Sequence, residues 1–246
     1  MTASLPMYDV ASTQAANDRL WTEIRACYGA GPRALDRTTD PHKTWEDPDL
    51  VLSQTCGLPY RSALHGRVQL VGTPDYGVRG CPPGYYKSII VVRKEDPRGD
   101  LAAFAGTRLA RNDVRSQSGW AAIEGHLVEN GFGFSFAGNT LDTGSHALSA
   151  EAVAEGRADL ASLDAVTWTL IKRETSLAPR LRVLLSTRPT PGLPLITARG
   201  RDPDPLFTAV HSAISALSAR DRARLLLKGI VAIPATDYLA EPLPPG

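Results

Sequence analysis

The sequence predicts an α/β protein, and three observations carry that reading. Segments of strand character alternate with segments of helical period along most of the 246 residues. Tyr86–Arg93 (YKSIIVVR) is a run of β-branched residues, the clearest strand in the chain. Near the carboxyl end, Leu206, Val210, Ile214 and Leu217 repeat at the 3.6-residue period of an amphipathic helix.

Taken in order, Ala3–Met7 is short and apolar, and Thr13–Tyr28 reads as a helix with Leu20, Ile24 and Cys27 on one face. Leu50–Ser53 and Val68–Gly72 read as buried strands, followed by Tyr86–Arg93. Arg108–Asn112 is a further strand that enters a helix at Gly119–Gly131, where Trp120, Ile123 and Leu127 share one side. Ala147–Glu155 is helical and stops at Gly156, a residue that takes the left-handed conformation without Cβ strain. Asp159–Leu163 is a strand, Ala165–Arg173 a helix and Leu181–Ser186 a strand. The carboxy-terminal part reads as helical, with Ser218 and Asp221 at capping-box spacing for a second helix ending at Gly229. The tail Glu241–Gly246, with three prolines, is expected to be extended and poorly ordered. No internal repeat, coiled coil or low-complexity segment interrupts the pattern.

Composition narrows the function. With 27 basic and 26 acidic residues the net charge is +1, which argues against nucleic-acid binding, because that affinity comes from clustered Lys and Arg neutralising phosphates. The longest apolar runs, such as Ser88–Val92, fall far short of the about 20 residues of a membrane span. Met1–Asp9 has no basic patch followed by an apolar stretch, so the amino terminus reads as cytoplasmic, or as periplasmic if a leader has been removed. Three cysteines and five histidines, without CxxC or HxxxH spacing, suit neither a disulfide scaffold nor a structural zinc site, and no metal or other cofactor is expected. There is no GxxxxGK[ST], GxSxG or HExxH, and Gly29-Ala-Gly31 lacks the third glycine and acidic partner of a dinucleotide site.

Several loops are candidates for chemistry. Ser116-Gln117-Ser118-Gly119 lies where a strand runs into a helix, so two hydroxyls and backbone N–H groups stand at the positive end of a helix dipole, an arrangement that suits an anion. The plainer reading is that Ser118 caps that helix. Thr143-Gly144-Ser145-His146 again precedes a helix, and His146 there either serves an oxyanion or is merely structural. Two such turns in one α/β segment point to one shared anion. In Leu52-Ser-Gln-Thr-Cys-Gly-Leu-Pro59, Gln54 and Thr55 offer neutral hydrogen-bonding groups, and Cys56 is a nucleophile only if the fold brings it a base. Cys81 is the partner of Cys56 if a disulfide forms; two packed thiols is the alternative. Strand alternation puts Tyr86 and Ser88 on one face. Asp164 either caps the helix after it or faces a cationic part of a ligand, and capping is the simpler of the two.

In series, SQTCGLP at 53–59, YKS at 86–88, SQSG at 116–119, TGSH at 143–146, GRADLASLD at 156–164 and TPGLP at 190–194 resemble the phosphonate-binding family of periplasmic solute-binding proteins of ABC transporters. The likeness runs from roughly residue 3 to residue 230. It implies the type II periplasmic-binding-protein fold: two α/β lobes, each with a mixed sheet, joined by two crossover segments and closing on ligand in the cleft between them. By the same resemblance, residues 1–93 and about 188–246 form one lobe and 94–187 the other. Tyr86, Ser116, Gln117, Ser118 and His146 then line the site. Asp164 stands near the organic, often amine-bearing, end of the ligand. Gln117 replaces the small hydroxyl residue usual in the family, so an amide takes that contact.

The expected function is therefore capture of a small oxyanion-bearing solute, without catalysis, by a protein that is a monomer and whose partner is an ABC-transporter permease. The alternatives are an enzyme on the same scaffold using Cys56 or His146, and a cytosolic ligand sensor.

Overall fold

The computed structural model describes residues 1–133, 136 and 138–244. By its internal packing the chain divides into two compact units, one formed by Met1–Tyr85 with Pro191–Glu241 and the other built from Tyr86–Thr190. In chain order, the first unit opens with β1 (Thr2–Ser4), α1 (Gln14–Tyr28), α2 (Pro41–Trp45), β2 (Leu50–Gln54), α3 (Gly57–Pro59), β3 (Val68–Asp75) and β4 (Tyr85–Tyr86), the last crossing its boundary. The second unit contains β5 (Ser88–Arg93), β6 (Arg108–Arg111), a widened helical turn at Gln117–Ala121 that continues as α4 (Ala122–Glu129), and β7 (Asn139–Asp142). It goes on through α5 (His146–Ala154), β8 (Leu160–Asp164), α6 (Ala165–Glu174) and β9 (Leu181–Ser186). After β10 (Thr190–Pro191), the chain completes the first unit with β11 (Leu195–Ala198), α7 (Asp204–Ala216), α8 (Ala219–Leu225), β12 (Gly229–Val231) and α9 (Ala235–Leu239).

Each unit holds a mixed five-stranded sheet. In the first the order is β1-β2-β11-β3-β12, with β1 parallel to β2, and β11 antiparallel to both β2 and β3. In the second it is β7-β6-β8-β5-β9, with β6 parallel to β7 and β8, and β5 antiparallel to β8 and β9. Strands β4 and β10 pair as a short ribbon where the chain passes from one unit to the other.

Burial follows the apolar periods. In the first unit, Trp21 and Ile24 of α1 and Leu206, Val210 and Ile214 of α7 pack with Val51, Leu52 and Val71 of the sheet. Trp21 fits there because its indole N–H donates to the Pro32 carbonyl at 3.0 Å, so no polar group is stranded. In the second unit, Ile90, Val92, Leu109 and Leu160 from the strands meet Ile123 and Leu127 of α4 and Phe104.

The α/β class stands, with differences in detail. Tyr86–Arg93 is not one strand: Tyr86 belongs to the ribbon and β5 begins at Ser88, so the two residues lie in different sheets and simple alternation does not relate them. The last long helix ends at Leu225, because Leu226 takes the left-handed conformation (φ 57°) and the chain turns into β12 at Gly229. The carboxy-terminal part therefore contributes two strands to the first sheet, β11 and β12. At four and three residues they are too short for periodicity to separate them from helix. The helix expected from Gly119 starts two residues earlier, at Gln117, with Ser116 rather than Ser118 as its cap. In the tail, Glu241–Pro244 has no regular structure, and residues 245–246 lie outside the described residues.

Phe104 is fully buried, and the Arg98 guanidinium lies 4.0 Å above its ring centroid. Phe104→Ala is expected to cost about 3–5 kcal/mol, read from the urea midpoint at unchanged slope.

Candidate anion-binding site

Because β6, β7 and β8 are parallel, their carboxyl ends (Arg111, Asp142 and Asp164) lie along one edge of the second sheet. Each leads into a helix start, at Gln117, His146 and Ala165. That edge is where ligands of open α/β sheets are held. The local sequence forms these starts through three caps. Ser116 Oγ accepts from Gly119 N–H at 3.0 Å and Ser145 Oγ from Leu148 N–H at 3.2 Å. Asp164 Oδ1 accepts from the N–H groups of Val166 (2.7 Å) and Thr167 (2.9 Å).

Two of these starts meet. Ser118 Oγ and His146 Nε2 are 3.0 Å apart, which joins the SQSG and TGSH turns through their side chains. Behind them the Ser118 carbonyl accepts from two buried hydroxyls, Ser88 Oγ at 2.8 Å and Ser162 Oγ at 2.5 Å. Ser88 is itself fixed by its N–H, which donates to Thr187 Oγ1 at 3.0 Å. Thr143 Oγ1 sits against Ser149 Oγ at 2.6 Å and the Arg111 carbonyl at 3.1 Å, anchoring the second turn. A Cβ at Gly119 would lie 1.8 Å from Asn112 Oδ1, so a side chain there requires the Asn112 amide to move. The first turn is widened, with Ala121 N–H bonding back to the Ser116 carbonyl.

The electrostatics are those of a neutral site near a fixed cation. His146 is half-buried as a residue but its Nδ1 is sealed from solvent, and this burial pushes the ring down to about 4, with the Ser162 backbone carbonyl pulling more weakly the other way. At neutral pH it is uncharged. Arg111 stacks 4.3 Å above the Trp120 ring centroid and pairs with Asp142 at 2.6 Å. Burial raises the Glu124 carboxyl, against the pull of Arg111. Among the described residues no three His, Cys, Asp or Glu side chains are placed to hold a metal ion.

Of the residues singled out in the sequence, Tyr86, Ser88, Ser116, Gln117, Ser118, His146 and Asp164 fall in the second unit, all of them buried except the half-buried His146. Asp164 serves as the cap of α6. Gln54 and Thr55 belong to the first unit, where Gln54 Nε2 donates to the Leu193 carbonyl (3.1 Å) and to Tyr76 Oη (3.2 Å), and Thr55 N–H donates to the Pro194 carbonyl (3.0 Å). Cys56 and Cys81 are half-buried thiols, not bridged. Ser162 and Thr187 were not legible as site residues. Ser162 carried one usable signal, a hydroxyl in the middle of a fully buried strand that must find a partner.

Solved structures share this fold at low sequence identity. PhnD1 from Prochlorococcus marinus in complex with methylphosphonate is 15% identical, covering 96% of this chain and 93% of that one, with a TM-score of 0.77. A binding-protein component of an ABC phosphonate transporter from Pseudomonas aeruginosa is 16% identical, covering 97% and 82%, with a TM-score of 0.71. A Xanthomonas citri protein solved with ATP is 16% identical, covering 96% and 92%, at 0.70. The class is thus that of the periplasmic binding proteins of type II. More particularly, residues 52–237 match the family of ABC-transporter phosphonate periplasmic substrate-binding proteins, and the chain belongs to that family. No curated protein matches it in sequence. The family is a solute-binding component of transporters and not a group of enzymes, so catalysis by Cys56 or His146 has no support. The family is periplasmic, which leaves the cytoplasmic reading of the amino terminus unsupported; no helix among the described residues is long and apolar enough to cross a membrane.

Two outcomes follow from the site. His146 binds a proton more readily unfolded than folded, so its contribution to stability is complete above about pH 6.5 and is lost as pH falls toward about 4. The loss should reach about 3 kcal/mol, and His146→Gln should flatten that part of the stability–pH curve measured by urea unfolding. Asp164→Ala removes both cap bonds of α6 and should cost about 1–2 kcal/mol in the same assay, whereas Asp164→Asn should cost less.

Proposed function

We propose that the protein binds a phosphonate or a closely related phosphate-type oxyanion at the helix start Ser116–Ser118, for delivery to an ABC-transporter permease. The observation that carries this reading is the 3.0 Å contact of Ser118 Oγ with His146 Nε2, which ties two Ser-bearing helix starts into one polar cluster at the carboxyl edge of the sheet. The widened turn, with its N–H groups and the positive end of the helix dipole, meets the oxyanion with neutral donors. Arg111, held on Trp120 beside Asp142, adds a fixed positive charge nearby without a cluster of lysines. Membership of the family, and a structural relative solved with methylphosphonate, support phosphonate as the ligand class. Ser88 and Ser162 act on the anion through the Ser118 peptide rather than by touching it.

Ser118→Ala combined with His146→Ala is expected to weaken methylphosphonate binding by about 2–5 kcal/mol in titration calorimetry, as loss of hydrogen bonds to a charged ligand should. Unchanged affinity would remove both residues from the site.

A further inference from the structure

We infer that Asn112 is a further ligand-contacting residue, whose side-chain amide nitrogen donates to the oxyanion held at the Ser116–Ser118 helix start. This rests on the phosphonate reading above and adds to it a neutral, directional contact.

Asn112 is the first residue beyond β6, at the carboxyl edge of the second sheet. Its backbone is tied to the second turn, since its carbonyl accepts from the Gly144 N–H at 3.0 Å. Its side chain lies against the first turn, where Oδ1 occupies the space that a Cβ at Gly119 would take. Asn112 therefore touches both the SQSG and the TGSH turn, the two that Ser118 and His146 join at 3.0 Å. Glycine at 119 is what lets the amide come this close to the helix start.

The two ends of that amide differ. Oδ1 is sealed from solvent, and no hydrogen-bond donor reaches it. The oxygen is the end that suits this seat, because the partial positive charge of a helix start attracts a carbonyl oxygen and opposes an amide N–H. Nδ2 is not sealed, and it makes no hydrogen bond among the described residues. The other two asparagines of this unit are bonded: Asn130 Nδ2 donates to the His126 carbonyl at 2.8 Å, and Asn139 Oδ1 accepts from Arg108 Nε at 2.7 Å. Holding the Asn112 amide against Gly119 costs side-chain freedom and gives the fold no hydrogen bond in exchange. At a site built from neutral donors, its open N–H groups suit a phosphonate oxygen. Arg111, one residue earlier, is held on Trp120 and Asp142 and supplies charge, whereas Asn112 supplies a directed bond.

Two variants and one spectrum test this. Asn112→Ala is expected to weaken methylphosphonate binding in calorimetry about 10–100-fold, as loss of one hydrogen bond to a charged ligand should. Asn112→Asp keeps the inward oxygen and turns the outward donor into a charged acceptor, so binding should weaken at least about 100-fold. The urea midpoint of the ligand-free Asn112→Asp protein should not fall, since a carboxylate is favourable near a helix start. A purely structural role gives the opposite result, a lower midpoint with any change in affinity following from it. In the nitrogen-15 spectrum of the asparagine-labelled wild-type protein, the Asn112 side-chain N–H pair should shift downfield on saturation with methylphosphonate. Both variants binding within about threefold of wild type, or an Asn112 N–H pair that does not move, overturns the inference and leaves the phosphonate reading intact. A wild-type protein that binds neither methylphosphonate nor inorganic phosphate overturns the phosphonate reading, and this inference with it.

Discussion

The second unit is organised around one peptide group, that of Ser118. Its carbonyl receives hydroxyls from β5 and β8, its side chain meets α5 through His146, and the N–H that follows it closes the Ser116 cap. A helix start ordinarily leaves its first N–H groups to water. Here the start is widened and pressed into the sheet, with Ser116, Gln117 and Ser118 all buried. Ser116 Oγ, Ser118 Oγ and the Ser118 carbonyl each find a partner there, which is what makes their burial tolerable.

The constraint reaches outward. The Asn112 amide oxygen occupies the space a Cβ at Gly119 would take, which sets the residue after β6 against the helix start. Arg111, one residue earlier, lies over Trp120 and reaches Asp142, so the strand end, the helix and the neighbouring strand are held by one guanidinium. A neutral His146 fits this arrangement: a charged ring there would require desolvation that no nearby carboxylate offsets. At the second unit's ion-pair cluster, the reverse holds. Arg98 and Arg93 share Asp96 and Asp159, and Asp96 is held at about 2 by the Arg98 side chain. Charge there serves the fold, and neutral dipoles serve the site.

Much of this was legible in the residues. The SQSG and TGSH turns stood out because serine before a helical period is a cap signal whose mechanism also suits an anion, and both turns lie at helix starts. The Asp164 cap was legible for the same reason. Which serine capped was not: the sequence reading put the cap at Ser118, whereas Ser116 Oγ takes the Gly119 N–H, and Ser118 turns its side chain to His146 and its carbonyl to Ser88 and Ser162. The strands β11 and β12 escaped because three or four apolar residues carry no period, and only pairing with β2 and β3 makes them strands.

By itself the chain determined what is local or summed: the alternation of strand and helix, the caps, the absence of a basic patch or a membrane-crossing helical run, and the family pattern spread over its loops. Tertiary structure decided what depends on residues far apart in sequence. That Ser118 faces His146 across 28 positions, and takes a hydroxyl from Ser162 across 44, follows from strand order in the sheet. So does the charge of His146, since a side chain's proton affinity is set by the groups and the burial around it.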